Sequence, residues 1–173
     1  GYSPSLEECI QTEREILGPI RDTEHVIDTS NLTPSQLRSW VKELSEVEPG
    51  ETLLTFESFA FKKGIPSSAD LVFDVRCLPN PHYDPDLRPL TGRDEAVAKW
   101  LSQFDSVHEL IDDISAYITK WLPRYMQDTR SYLTVAIGCT GGQHRSVFVA
   151  EELAKRFSSH QPLRVRHRAQ AHL

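Results

Sequence analysis

The sequence has only three cysteines, Cys9, Cys77 and Cys139, and no two share the C-x-x-C spacing. A disulfide framework or structural zinc site is therefore not expected, and a reducing cytoplasm is the simplest setting. No run of about 18 apolar residues occurs, so no membrane span is expected. The start, Gly1-Tyr2-Ser3-Pro4, lacks a charged segment followed by an apolar one, so it reads as a fragment boundary and not as a signal peptide. No Gly-x4-Gly-Lys-Ser/Thr motif is found, nor an internal repeat or low-complexity tract.

What is present suits a packed domain. The chain has 173 residues, 39% hydrophobic and 25% charged, with net charge −6. The charge is uneven. Residues 1–50 hold 4 basic and 10 acidic side chains, whereas residues 139–173 hold 6 basic and 2 acidic. An anionic ligand should be drawn to the C-terminal segment, although the whole chain is not basic enough for a general nucleic-acid binder.

Periodicity predicts helices over about 5–17, stopped by Gly18-Pro19, and from Thr33-Pro34 to Leu44. Further helices are expected at about 94–102, 106–121 and 143–158. Strands are expected at 25–28, 53–59, 71–75, 132–137 and 163–167. Val47-Glu48-Pro49-Gly50 reads as a boundary, which divides the chain into 1–49 and 50–173. The alternation implies a layered α/β domain with a central sheet and a strand–Gly-rich loop–helix site. Ligands of such sheets lie beyond the strand C-termini, which selects the loops after Asp74 and Ile137.

Gly138-Cys139-Thr140-Gly141-Gly142-Gln143-His144-Arg145-Ser146 is the strongest motif. Glycines permit a tight turn, and the first amides of the following helix lack internal acceptors. With the hydroxyls of Thr140 and Ser146, the fork of Arg145 and a switchable charge on His144, they suit an anion. A plain strand–helix turn with Arg145 paired to a carboxylate is the simpler alternative. Cys139-x5-Arg145-Ser146 also has the spacing of cysteine-dependent phosphatases, with Cys139 as nucleophile. Against this, Gly138 stands where those enzymes carry His. Asp84 or Asp86 could act as general acid only if their loop folds over the site.

The second loop offers Asp74, Arg76, Asn80, His82, Asp84, Arg88 and Arg93, with Asp74 and His82 the best candidates for sugar hydroxyls or an amine. Four prolines between Pro79 and Pro89 are expected to exclude helix there. Asp74, His82 and Asp84 match no familiar metal-ligand spacing, so no metal is expected. Arg156, Arg164, Arg166, His167 and Arg168 form a candidate RNA-binding strip, or a solvated basic face.

Phe56–Pro66, Asp70–Pro85, Leu87–Gly92 and Ser131–Val147 resemble the RapZ/YvcJ family. Residues 1–46, with Glu13-Arg14 and Val26–Ser30, resemble the end of that family's N-terminal P-loop NTPase domain. The resemblance implies a cytoplasmic regulatory adapter, not an enzyme in this stretch. It implies binding of glucosamine-6-phosphate or a similar sugar phosphate, and engagement of small RNA and an endoribonuclease. ATP or GTP would bind only the family's N-terminal P-loop, and self-association is implied. By motif position the ligand residues would be Asp74, His82, Thr140, Gly141, His144 and Arg145, with Cys139 and Gly142 shaping the loop. Gln143 departs from a branch that has Lys there, and the C-terminus lacks that branch's basic tail, which should weaken RNA binding.

Overall fold

The computed structural model describes residues 5–23, 29, 32–45, 47, 51–127 and 132–170. The strand expected at 25–28 and most of the 47–50 boundary lie outside them.

Four parallel strands, β1 (Leu53–Ala60), β2 (Leu71–Asp74), β3 (Tyr132–Cys139) and β4 (Leu163–His167), form one sheet in the order β2-β3-β1-β4. The layered α/β expectation holds. Every β1 residue is buried, as befits a central parallel strand covered on both faces. Side chains alternate across the strands, so Leu54 and Phe56 join Leu133, Val135 and Ile137 in the principal core. Each such burial is worth about 1.5–3 kcal/mol.

Helices α3 (Glu95–Leu101) and α4 (Asp105–Gln127) link β2 to β3, and α5 (Arg145–Arg156) links β3 to β4. Val97, Leu101, Val107, Ile111, Ile114, Ile118, Val149 and Leu153 repeat at helical spacing and close the same core. On the sheet's other face, Glu57 is 1% exposed, and Trp40 of α2 (Pro34–Ser45) is buried with the Arg166 guanidinium 3.9 Å from its ring centre.

Two helix boundaries differ from the sequence expectation. The first helix, α1 (Leu6–Thr23), continues through Gly18-Pro19. Proline removes one amide and displaces the carbonyl four residues earlier, but Glu15 is exposed and water can serve that carbonyl. Helix α4 likewise runs past Pro123 to Gln127. The proline loop contains one 3-10 turn, Pro81–Tyr83, against the expectation of no helix. Pro81 occupies its first position, where no amide hydrogen bond is lost, and Asn80 accepts from the His82 amide.

Candidate functional site

The C-terminal ends of β2 and β3 are adjacent, because Asp74 pairs with Gly138 in register and the Val75 amide donates to the Gly138 carbonyl at 2.9 Å. Both loops singled out in the sequence therefore leave the same edge of the sheet.

The loop after β3 closes tightly. Gly142 has φ +68, and a Cβ there would lie 2.7 Å from Ala169 Cβ and 3.0 Å from the Ala60 nitrogen. Only glycine fits both demands. The Gly142 amide donates to Cys139 Sγ at 3.2 Å, and Ser146 Oγ lies 3.1 Å from the same sulfur. Ser146 is wholly buried, so its hydroxyl serves the loop's interior and is closed to solvent. Thr140 is exposed and Gly141 half-buried, so these two form the loop's outer rim.

Arg145 opens α5 and is buried. Its Nη1 donates to the carbonyls of Arg76 at 2.8 Å and Leu78 at 3.0 Å, and its Nη2 lies 3.5 Å from Thr140 Oγ1. One guanidinium thus spans both loops. Its closest partners are neutral oxygens, which orient the fork without cancelling its charge. The simple alternative, in which Arg145 pairs with a carboxylate, is not what the structure shows. Asp74 is gripped by Arg76 instead, through Nε at 2.9 Å and Nη2 at 2.7 Å. Those Arg76 hydrogen bonds hold the Asp74 carboxyl below its usual range, against an opposing effect of burial; the Arg145 charge adds to the lowering. The Arg76 guanidinium also lies 4.1 Å from the Phe61 ring centre.

His144 differs from its expected role. It is buried, and its Nε2 lies 3.1 Å from the Leu87 carbonyl. Burial lowers its pKa, a Leu87 hydrogen bond opposes that, and the neighbouring His82 lowers it further. The ring is therefore neutral near pH 7, donating from Nε2 to Leu87, and fastens the loops without supplying a switchable cation. Exposed His82 has its ring centre 6.4 Å from that of His144, so it borders the same region.

Two fastenings were missed by reasoning from the sequence. Gln143 donates through Nε2 to the carbonyls of Arg88 and Leu90 at 2.9 and 2.7 Å. A lysine could not hold both carbonyls in this planar way, so the departure at 143 has a local structural role. The Gly92 amide donates to the Gln143 carbonyl at 2.9 Å, and a Cβ at Gly92 would sit 2.2 Å from the His144 carbonyl oxygen. The Leu90-Thr91-Gly92 turn was the available signal. Asp94 closes this turn by accepting from the amide and hydroxyl of Thr91, which lowers its pKa.

Asp74, His82, Thr140, Gly141, Gly142, His144 and Arg145 thus surround the joined loops, with Cys139 and Ser146 beneath them. The basic strip does not converge in this way. Arg156 pairs with Asp112 of α4, Arg164 donates to the Leu163 carbonyl at 2.8 Å, and Arg166 stacks on Trp40. His167 bridges Ser58 Oγ at 2.8 Å and Glu151 Oε1 at 3.0 Å, and Arg168 Nη1 lies 3.8 Å from buried Glu57. Among the described residues no group of three His, Cys, Asp or Glu side chains could hold a metal ion, and no helix is long and apolar enough to cross a membrane.

Comparison with known proteins places this geometry in a family. The model of the RapZ C-terminal domain matches residues 52–171. A nucleotide-binding protein of Bordetella pertussis is 67% identical over 170 residues, covering 98% of this chain and 59% of that protein. Similar proteins of Bordetella petrii and Burkholderia multivorans are 65% identical over 170 residues and 56% identical over 168 residues, covering 98% and 97% of this chain and 59% and 56% of their own lengths. The chain thus spans about 59% of the length of the Bordetella pertussis relative. With the motif loops, their register and these matches in agreement, the chain belongs to the RapZ C-terminal domain family.

Proposed function

We propose that this domain is the ligand-sensing part of a regulatory adapter, and that it binds a phosphorylated amino sugar such as glucosamine-6-phosphate where the two loops meet. The observation that carries the reading is Arg145, a buried guanidinium held by neutral carbonyls of one loop beside Thr140 of the other. A cation so oriented costs little to reorganise when an anion arrives. The outer amides of the Gly-rich loop and the start of α5, which has no side-chain cap, favour the same charge. A sugar ammonium would compete with Arg76 for Asp74, and exposed His82 and Thr140 suit hydroxyls.

In the whole protein the bound sugar phosphate would alter engagement of small RNA and an endoribonuclease, in the cytoplasm, alongside ATP or GTP binding by an N-terminal P-loop domain. The relatives' description as nucleotide-binding proteins supports the last element. The β4 strip, Arg164 above all, is the proposed RNA contact.

Titration calorimetry with glucosamine-6-phosphate tests the site. Saturable binding is expected, weakened about tenfold or more in Arg145→Lys and in the exposed variant His82→Ala. Absence of binding to the unsubstituted protein, or binding by both variants as tight as that of the unsubstituted protein, rules the site out.

One feature favours a second reading, a cysteine-dependent phosphatase. Cys139 Sγ accepts from the Gly142 amide and adjoins the Ser146 hydroxyl, in the same loop as Arg145 six residues on. Hydrolysis of an aryl phosphate that disappears in Cys139→Ser supports that reading, and hydrolysis that survives the substitution excludes it.

A further inference from the structure

Arg76 touches all three loops that leave the C-terminal edge of the sheet. Its amide and Nε donate to Asp74 Oδ1 at 2.9 and 3.0 Å, and its Nε and Nη2 donate to Oδ2 at 2.9 and 2.7 Å. Its carbonyl accepts from Arg145 Nη1 at 2.8 Å. Its guanidinium lies 4.1 Å from the ring centre of Phe61, which follows β1. A Cβ on Gly138 would lie 2.5 Å from that ring, so Phe61 is pressed against the first residue of the Gly-rich loop. A second guanidinium is thus stacked beside the loop that suits an anion, with its fork turned to Asp74.

The grip on Asp74 is open to exchange. The side chains of Arg76 and Asp74 are 50% and 44% exposed. An ion pair that exposed shifts an equilibrium by about fivefold or less. The main chain of Arg76 is held by Arg145, so release needs only a change of side-chain rotamer. The carboxylate also lies within the field of both cations. The Arg76 hydrogen bonds lower its pKa most, burial opposes them, and the charges of Arg76 and Arg145 lower it further.

We infer that Asp74 and Arg76 form an exchange pair that makes the site select phosphorylated amino sugars over neutral ones; the inference rests on the sugar-phosphate reading above. The ligand's ammonium takes over Asp74. Arg76, released, turns its fork to the phosphate beside Arg145. One charge of the guest thereby frees the protein group that binds the other. A neutral sugar phosphate has no cation to offer Asp74. Arg76 then stays closed, and the phosphate meets Arg145 alone with a carboxylate nearby. Selectivity comes from the charge that the wrong guest leaves unanswered. Asp74 is thus a specificity-determining residue because it holds Arg76 back, and not only because it can accept from a ligand.

Titration calorimetry with glucosamine-6-phosphate and glucose-6-phosphate, which differ by one ammonium in place of one hydroxyl, tests the exchange. The unsubstituted protein should prefer the amino sugar about tenfold or more. Asp74→Asn keeps an acceptor for the Arg76 amide but has no charge to hold the guanidinium. It should bind glucose-6-phosphate about fivefold tighter and glucosamine-6-phosphate more weakly, which brings the two affinities within about twofold of each other. Nuclear magnetic resonance reads the unsubstituted protein directly. The Arg76 Nε–H signal, assigned by its loss in Arg76→Lys, should shift with glucosamine-6-phosphate and stay in place with glucose-6-phosphate. An unsubstituted protein that binds both sugars equally overturns the exchange. So does Asp74→Asn if it binds the neutral sugar no tighter, or an Arg76 signal that responds alike to both. Absence of glucosamine-6-phosphate binding to the unsubstituted protein is a separate result, which removes the sugar-phosphate site and the exchange with it.

Discussion

The loop after β3 and strand β4 both read as cationic in sequence, but the fold treats their charges differently. Arg145 is held by the carbonyls of Arg76 and Leu78, which supply geometry and no countercharge. On and beside β4, Arg156 meets Asp112 and Arg168 lies near Glu57. Arg166 is spent on the face of Trp40. A carbonyl clamp preserves a cation for a guest, whereas a carboxylate partner offsets it. Counting arginines therefore cannot distinguish a binding site from a stitched surface.

Substitutions can break this contrast. Gly92→Ala should have the largest effect, because its Cβ would lie 2.2 Å from the His144 carbonyl oxygen and 2.4 Å from the Phe148 nitrogen. A stability loss of about 3 kcal/mol is expected in urea unfolding, against about 1 kcal/mol for Arg166→Ala, which removes one cation–ring contact. Equal losses would show that the loop is no more tightly set than the strip. Next, Arg145→Lys should reduce glucosamine-6-phosphate affinity about tenfold or more while Arg168→Lys leaves it unchanged, as calorimetry would show. Reversed effects would move the guest to β4.

Acid sharpens the same comparison. The folded-state pKa of His144 is lowered by burial, so the unfolded chain takes up that proton first as pH falls below 6.5. The stability associated with neutral His144 is complete above 6.5 and is lost as pH falls toward the lower folded-state value. His144→Gln should flatten that part of a melting-temperature profile. Asp74 and Asp94, also lowered, act in a more acidic window: their contribution is present above 3.8 and is lost as pH falls below it. The smallest effect is expected on β4. If RNA binds there, Arg164→Gln should reduce the slope of log affinity against log salt by about one, with sugar-phosphate binding unaltered.

Much of the scaffold was legible because its signals are local. Unbroken apolar residues marked β1 and β3, helical spacing marked α4 and α5, and glycines marked the tight loop between β3 and α5. Proline was the least dependable signal. Pro19 and Pro123 stop nothing, because the carbonyls they displace belong to the exposed Glu15 and Thr119. The candidate site was legible as a set of residues but not as an arrangement. Ser146 and His144 looked like open donors, and both are buried. Ser58 gave no hint of its bond to His167, 109 residues away, because no spacing rule connects parallel neighbours across that distance.

The sequence by itself determined the four strands of the sheet and the bodies of the helices, the tight glycine turn after β3, and the positive charge of the C-terminal segment, since each depends on residues close together in the chain. Only the tertiary structure decided the strand order β2-β3-β1-β4, which brings the two loops to one edge. It also decided which cations keep their charge available. Both outcomes depend on which distant carbonyls and carboxylates the packing delivers to each side chain, and that delivery is a property of the assembled sheet.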